Sequence, residues 1–225
     1  MCKRYNYTTN VEAMRQFASY LDRLVDKFQS NEETSEVFPN RYGPIVRKAE
    51  GGHELVRARW GMPSPYSTLK GKNYDYGVMN IRNTSSPHWR RWLAPEYRCL
   101  VPLVKFAEPD PSSKRAGEPT PDAWFARPDG GLFFFAGIWT TWTGKRMARE
   151  DPAEHELYAF LTTEPNAVVA PIHPQAMPVV LTEANEVEAW LEAPWQEAKA
   201  LQRPLAEDAL IILPTTDTTD QPTLI

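Results

Sequence analysis

AWFARPDGGLFFFAGIW, residues 123–139, is the stretch on which the fold class turns. Two apolar, aromatic-rich runs flank Asp129-Gly130-Gly131, which supplies the residues a tight chain reversal needs, so the pattern predicts a β-hairpin. Working outward, RCLVPLVKFAEP (98–109) reads as one mostly buried strand ending on a polar residue, Glu108. LYAFLTTE (157–164) reads as another buried strand. ELVRARWG (54–61) alternates in polarity and stops at a Gly-Met-Pro-Ser-Pro turn, and a short strand is predicted near Val78–Ile81. PDPSSKRAGEPTPD (109–122) has the composition of a solvent loop, and residues 33–52 also read as loop, punctuated by Pro and Gly.

Helical signals are fewer. Thr9 and Glu12 have capping-box spacing, and Met14, Phe17, Leu21, Leu24, Val25 and Phe28 follow at helical intervals, predicting an amphipathic helix from about 10 to 29. Ser86 and Pro87 suit the start of a short helix whose Trp89, Trp92 and Leu93 face a core. Thr182 is placed to cap a helix running through Trp190 and Leu191, and residues 194–202 predict one more. Strands and helices mix without βαβ alternation, there are no repeats, and no linker is long enough to divide the chain. The expectation is a single α+β domain, followed by a frayed tail, PTTDTTDQPTLI.

With 225 residues, 42% of them hydrophobic, and 8 Trp, 9 Tyr and 9 Phe, the chain can bury a substantial core. No apolar run has membrane-spanning length, and no signal-peptide core stands at the start. Cys2 and Cys99 form neither a CxxC motif nor a disulfide framework, which points to a cytoplasmic protein. His53, His88, His155 and His173 lack metal-ligand spacing, so neither metal nor cofactor is expected. The net charge is −4, but residues 1–105 hold 17 Lys/Arg against 10 Asp/Glu, leaving 8 against 19 for residues 106–225. That asymmetry fits either a polyanionic partner for the basic half or a merely dipolar surface.

Cys2 carries distinctive chemistry. If Met1 is removed, an α-amine and a thiol stand on adjacent carbons. The amine condenses with an aldehyde to an imine, and the thiol then closes a five-membered thiazolidine, a step favoured because it is intramolecular. The same terminus also suits a hydrolase whose nucleophile is the thiol and whose base is its own amine. Either chemistry needs proton-transfer partners, for which a carboxyl and a histidine are the natural candidates. Cys99, inside an apolar run, reads as an inert core residue.

The motifs MCxRY, RWGMPSP (59–65), NIRNTSSPHWRRWL (80–93), RCLVPLVKFAEP (98–109), FAGIWTTWTG (135–144) and FLTTEPNAVVAPIHPQAMPVVLT (160–182) occur in this order along nearly the whole chain. Together they resemble the SRAP family, the SOS-response-associated peptidases or abasic-site processing proteins. The resemblance implies one domain over residues 1–212, with a mostly antiparallel, barrel-like sheet flanked by helices, and a tail over 213–225. It implies a monomer whose partner is single-stranded DNA carrying abasic sites, with no metal and no membrane, and whose Cys2 attacks the ring-opened sugar aldehyde. The family's asparagine, glutamate and histidine map to Asn80, Glu108 and His173. The peptidase in the family name implies self-removal of a leader, here only Met1, and β-elimination from an imine adds a lyase outcome.

For DNA contact the candidates are Arg4, Arg59 and Arg82 with phosphates, Trp60 stacking on a base, and Thr162 and Thr163 donating to phosphate. The chain departs from the common family pattern at Lys3, Pro109 and Thr84–Ser85, and its C-terminal segment is short. A cysteine hydrolase and a non-covalent single-strand-binding module are the competing readings.

Overall fold

The computed structural model describes residues 2–7, 21, 24–28 and 35–214. In chain order the strands are β1 (Arg4–Asn6), β2 (Leu24–Asp26), β3 (Glu36–Val37), β4 (Tyr42–Ala49), β5 (Gly52–Trp60), β6 (Asn80–Ile81) and β7 (Arg98–Leu103). They continue with β8 (Lys105–Pro109), β9 (Asp122–Ala126), β10 (Phe133–Gly144), β11 (Ala153–Thr163), β12 (Met177–Pro178), β13 (Val180–Leu181) and β14 (Ile211–Ile212). Three helices lie among the described residues: α1 (Pro87–Arg90), α2 (Ala184–Glu192) and α3 (Trp195–Ala198).

Five strands close on themselves in the order β11-β10-β7-β4-β5, and β5 returns to β11 through a parallel pairing of Arg59 with Leu157 and Trp60 with Tyr158. Closure removes the exposed edges that an open sheet of this length would leave. The interior is aromatic: Phe135 and Phe160 rings lie 4.5 Å apart, Trp60 and Phe160 5.0 Å, and Tyr5 meets Trp60 edge-on at 5.6 Å. Against this barrel packs a second sheet in the order β14-β9-β8-β1-β3. Phe106 couples the two layers, stacked on Phe125 at 5.1 Å and edge-on to Phe135 at 5.5 Å. The result is a mostly β, single-domain fold with a barrel-like sheet and a few flanking helices.

Several local expectations change. Residues 123–139 are not a hairpin, because β9 pairs with β8 and β14 while β10 pairs with β7, β11 and β13. The turn chemistry is real, since Asp129 accepts the Gly131 N–H at 2.9 Å and Gly130 has φ 67°. It carries the chain from one sheet to the other. Residues 98–109 likewise form two strands, β7 in the barrel and β8 in the second sheet, parted at Val104.

The expected loop over 33–52 contains β3 and the eight-residue barrel strand β4. Of the helix expected over 10–29, residues 24–26 are β2, parallel to β5. Residues 10–20, 22, 23 and 29 lie outside the described residues, as does the tail from 215. Helix α2 starts one residue later than expected, with the Glu186 carboxylate accepting the N–H groups of Thr182 and Glu183.

Candidate active site around Cys2

Strand register assembles this site. β1 runs antiparallel to β8 with Arg4 opposite Ala107, Tyr5 opposite Phe106 and Asn6 opposite Lys105. Extended by one residue, the register sets Lys3 against Glu108 and brings Cys2 to the end of β8. Tyr5 anchors the strand: it is fully buried, and its hydroxyl bonds to that of Tyr158 on β11. Asp122, at the start of β9, faces Pro109 and holds the two residues that follow the cysteine from one side chain. Lys3 Nζ lies 2.7 Å from its Oδ1 and Arg4 Nη2 2.6 Å from its Oδ2. Arg4 also reaches Glu36 at 3.4 Å and lies over the Trp124 ring at 4.7 Å.

Cys2 itself is 2% exposed, and its thiol approaches the carbonyl of Arg4 at 3.4 Å. Burial pushes the thiol pKa well above its ordinary value, and the charge of Glu108 pushes the same way. The sulfur is therefore protonated at neutral pH. Glu108 is fully buried, and burial raises its carboxyl to about 7, with Asp122 adding to the rise and Lys3 opposing it. A carboxyl with that value is both acid and base at neutral pH.

Asn80 opens β6, which lies parallel to β11 with Asn80 beside Phe160, and its Nδ2 donates to the Cys2 carbonyl at 3.3 Å. The preceding Met79 is fixed by the Trp60 indole, which donates to its carbonyl at 2.9 Å. His173 lies half-buried in the turn before β12, with Nδ1 2.9 Å from the Ala176 carbonyl, and burial lowers its pKa. The Glu108 charge acts directly on the Cys2 thiol, and the Asn80 bond ties β6 to the same cysteine. Among the described residues no group of three or more His, Cys, Asp or Glu is arranged to hold a metal ion.

The DNA-contact candidates separate sharply. Arg82 follows β6 directly and is exposed, 3.4 Å from Glu164. Arg4 is held by Asp122 and Glu36 as described. Arg59 is buried, with its guanidinium bidentate on Glu150 at 3.0 and 2.8 Å and its Nε donating to the Asn40 carbonyl at 3.0 Å. Trp60 is sealed in the barrel core and offers no face to a base. Thr162 and Thr163 are buried in β11, and the Thr162 hydroxyl lies 3.5 Å from the Ile81 carbonyl. The expected roles of Arg59, Trp60, Thr162 and Thr163 at the DNA surface are thus corrected to structural ones in this conformation. Asp122 is the site residue that sequence reasoning missed, because it closes a Pro-rich loop and only the sheet register reveals its partners.

The model of the SOS response associated peptidase (SRAP) family matches residues 1–221. The chain belongs to this family. Among solved structures, this SRAP protein is similar to a protein from Bordetella bronchiseptica, with 22% identity and a TM-score of 0.71 over 94% of this chain and 98% of that one. A protein from Bacteroides thetaiotaomicron shares 20% identity and a TM-score of 0.66, over 95% and 93% of the two chains. A phage-related protein from B. bronchiseptica shares 19% identity and a TM-score of 0.69, over 96% and 95%. These likenesses establish a shared fold across the SRAP domain. No curated protein matches the chain.

Proposed function

We propose that this SRAP protein, once Met1 is removed, captures the aldehyde of abasic sites in single-stranded DNA as a thiazolidine on Cys2, acting as a monomer in the cytoplasm. The observation that carries the reading is the arrangement of Cys2 beside a buried carboxyl of pKa about 7, with Asn80 donating to the Cys2 carbonyl. The Cys2 amine adds to the aldehyde carbon to give a carbinolamine. Glu108, in its acid form, protonates the hydroxyl, which leaves as water while the C=N bond forms. The amine's remaining proton stays on the iminium nitrogen, and the Glu108 carboxylate accepts the thiol proton as sulfur attacks the iminium carbon, which regenerates the Glu108 acid. The overall balance is aldehyde plus cysteine giving thiazolidine and one water. Asn80 fixes the cysteine backbone during these steps, and His173, neutral at physiological pH, serves the sugar oxygen and the reversal of the link.

A thiol held protonated by burial and by a neighbouring carboxylate favours this two-step trap over a cysteine hydrolase, which needs a ready thiolate. In the trap the difficult attack belongs to the amine, and the thiol reacts only within the imine already formed. The peptidase of the family description is accommodated as exposure of the Cys2 amine, and strand cleavage by β-elimination would follow from an imine left open.

The test is denaturing electrophoresis after mixing with single-stranded DNA bearing one abasic site. Wild type should give a retarded band without reductant, whereas Cys2→Ser and Cys2→Ala, which keep the α-amine, should give one only when borohydride is added. A band from Cys2→Ala equal to that of wild type without reductant would overturn the assignment.

A further inference from the structure

The loop between Trp60 and Asn80 takes no part in the chemistry above, yet its construction is specific. Its base is closed by a two-residue bridge, Met62 N–H to the Val78 carbonyl at 2.9 Å and Val78 N–H to the Met62 carbonyl at 2.8 Å. The buried Asp75 carboxylate then binds both ends, accepting the Ser64 N–H at 2.7 Å, the Ser64 hydroxyl at 2.6 Å and the Gly77 N–H at 2.8 Å. Buried Arg146 donates to the Tyr76 carbonyl at 2.7 Å, and its guanidinium fills the space over Gly61 and Gly77, both at positive φ. His88 of α1 ties to the Pro63 carbonyl at 2.8 Å. The loop returns two residues before Asn80.

Such a base holds an exposed tip. Tyr66 is 90% exposed, in a single 3-10 turn of Tyr66–Thr68. Lys70 and Gly71 follow, both in the left-handed region with φ 49° and 77°. Lys72 lies over the Tyr74 ring at 5.6 Å. Tyr66, Ser67, Leu69, Lys70, Gly71 and Lys72 line a hollow of about 290 Å³. Elsewhere Arg4, Arg47, Lys48 and Arg59 are neutralised by carboxylates, whereas Lys70 and Lys72 have no carboxylate partner among the described residues. Over residues 61–95 the sequence carries five cations, Lys70, Lys72, Arg82, Arg90 and Arg91, against Asp75 alone, which is buried.

We infer that the 63–77 loop is a second contact for the single-stranded DNA leaving the Cys2 site, with Tyr66 stacking on a base and Lys70 and Lys72 meeting its phosphates. Unneutralised cations interleaved with an exposed aromatic ring are what a single strand recognises without sequence preference. This rests on reading the Cys2 site as a single-strand DNA site.

The experiment uses the full chain and a labelled single-stranded 20-mer carrying a tetrahydrofuran abasic analogue, which has no aldehyde and isolates non-covalent binding by anisotropy across a salt series. Lys70→Gln/Lys72→Gln should bind about tenfold more weakly at low salt, with the log–log salt slope reduced by about 1.4 for two lost phosphate contacts. Tyr66→Ala should lose about fivefold or more with its slope unchanged. Lys70→Arg/Lys72→Arg should bind like wild type, and all should melt with wild type, since the positions are exposed.

Wild-type affinity and slope in both the Gln and Ala variants would overturn the inference. With a true abasic site at saturating DNA, all loop variants should still form the covalent adduct. A wild type that binds through the loop but forms no adduct would sink the Cys2 reading alone.

Discussion

Replacing Glu108 by Gln removes an ionisation without changing the shape of the side chain. The carboxyl is fully buried and its folded-state pKa is about 7, against an ordinary value of 4.5. Because the folded value lies above the unfolded one, the native protein holds a proton that the unfolded chain has released. Its contribution to stability is complete below about pH 4.5 and is lost as pH rises through about 7. A separation of about 2.5 units corresponds to about 3 kcal/mol at pH 8.

The Gln variant carries no such loss, so the stability difference between variant and wild type should grow in the variant's favour by about 3 kcal/mol between pH 4 and pH 8. For a domain of this size that is roughly 6–12 °C in melting temperature. The assay is urea unfolding of both proteins at matched pH steps, in which every other titrating group cancels. Parallel stability curves would refute the idea that Glu108 is held protonated by burial. The same variant should lose crosslinking by about 10²-fold or more, since its amide cannot exchange protons: stability gained, chemistry lost.

Asp122→Asn should move the pH range of that Glu108 effect downward, because the carboxylate it removes raises the Glu108 pKa. Repeating the Glu108→Gln comparison in the Asp122→Asn background checks this, and an unmoved range would contradict it. Arg59→Met should destabilise by about 2–3 kcal/mol by stranding Glu150 and the Asn40 carbonyl, while leaving the salt dependence of DNA binding as in wild type. A reduced salt slope would return Arg59 to the DNA surface. Gly137→Ala places a Cβ 2.8 Å from the Cys99 sulfur and 3.2 Å from the Ala159 carbonyl, and should cost about 1–3 kcal/mol in urea unfolding. Adding Cys99→Ala should recover most of that loss, and no recovery would place the clash elsewhere.

The strands that form the barrel were legible wherever burial is continuous, as in β7 and β11, whose apolar runs announce themselves. β4 was hidden by Gly43-Pro44, which reads as a turn. The glycine is there for packing: a Cβ at Gly43 would lie 2.4 Å from the Tyr5 hydroxyl and 2.8 Å from that of Tyr158. The hairpin at 123–139 failed for a different reason. Turn chemistry is local and Asp129 satisfies it, but strand partners are chosen by which apolar face meets which layer, a non-local decision.

At the site, Cys2 stood out by its chemistry, and Glu108 by being a charge at the end of an apolar strand. Asn80 and His173 rested on family resemblance, since neither residue type nor spacing distinguishes them from loop residues. Trp60 and Arg59 show the converse, because an aromatic beside a cation looks the same whether it faces DNA or, as here, the barrel core and Glu150.

Intact-mass spectrometry of the protein after reaction with abasic single-stranded DNA tests the central claim most directly. The account predicts one species, formed without reductant, whose mass equals the protein lacking Met1 plus the DNA strand less one water, with the modification on Cys2 after digestion. Protein shown to have lost Met1 that remains unmodified, or a DNA adduct mapped to any other residue, would contradict it.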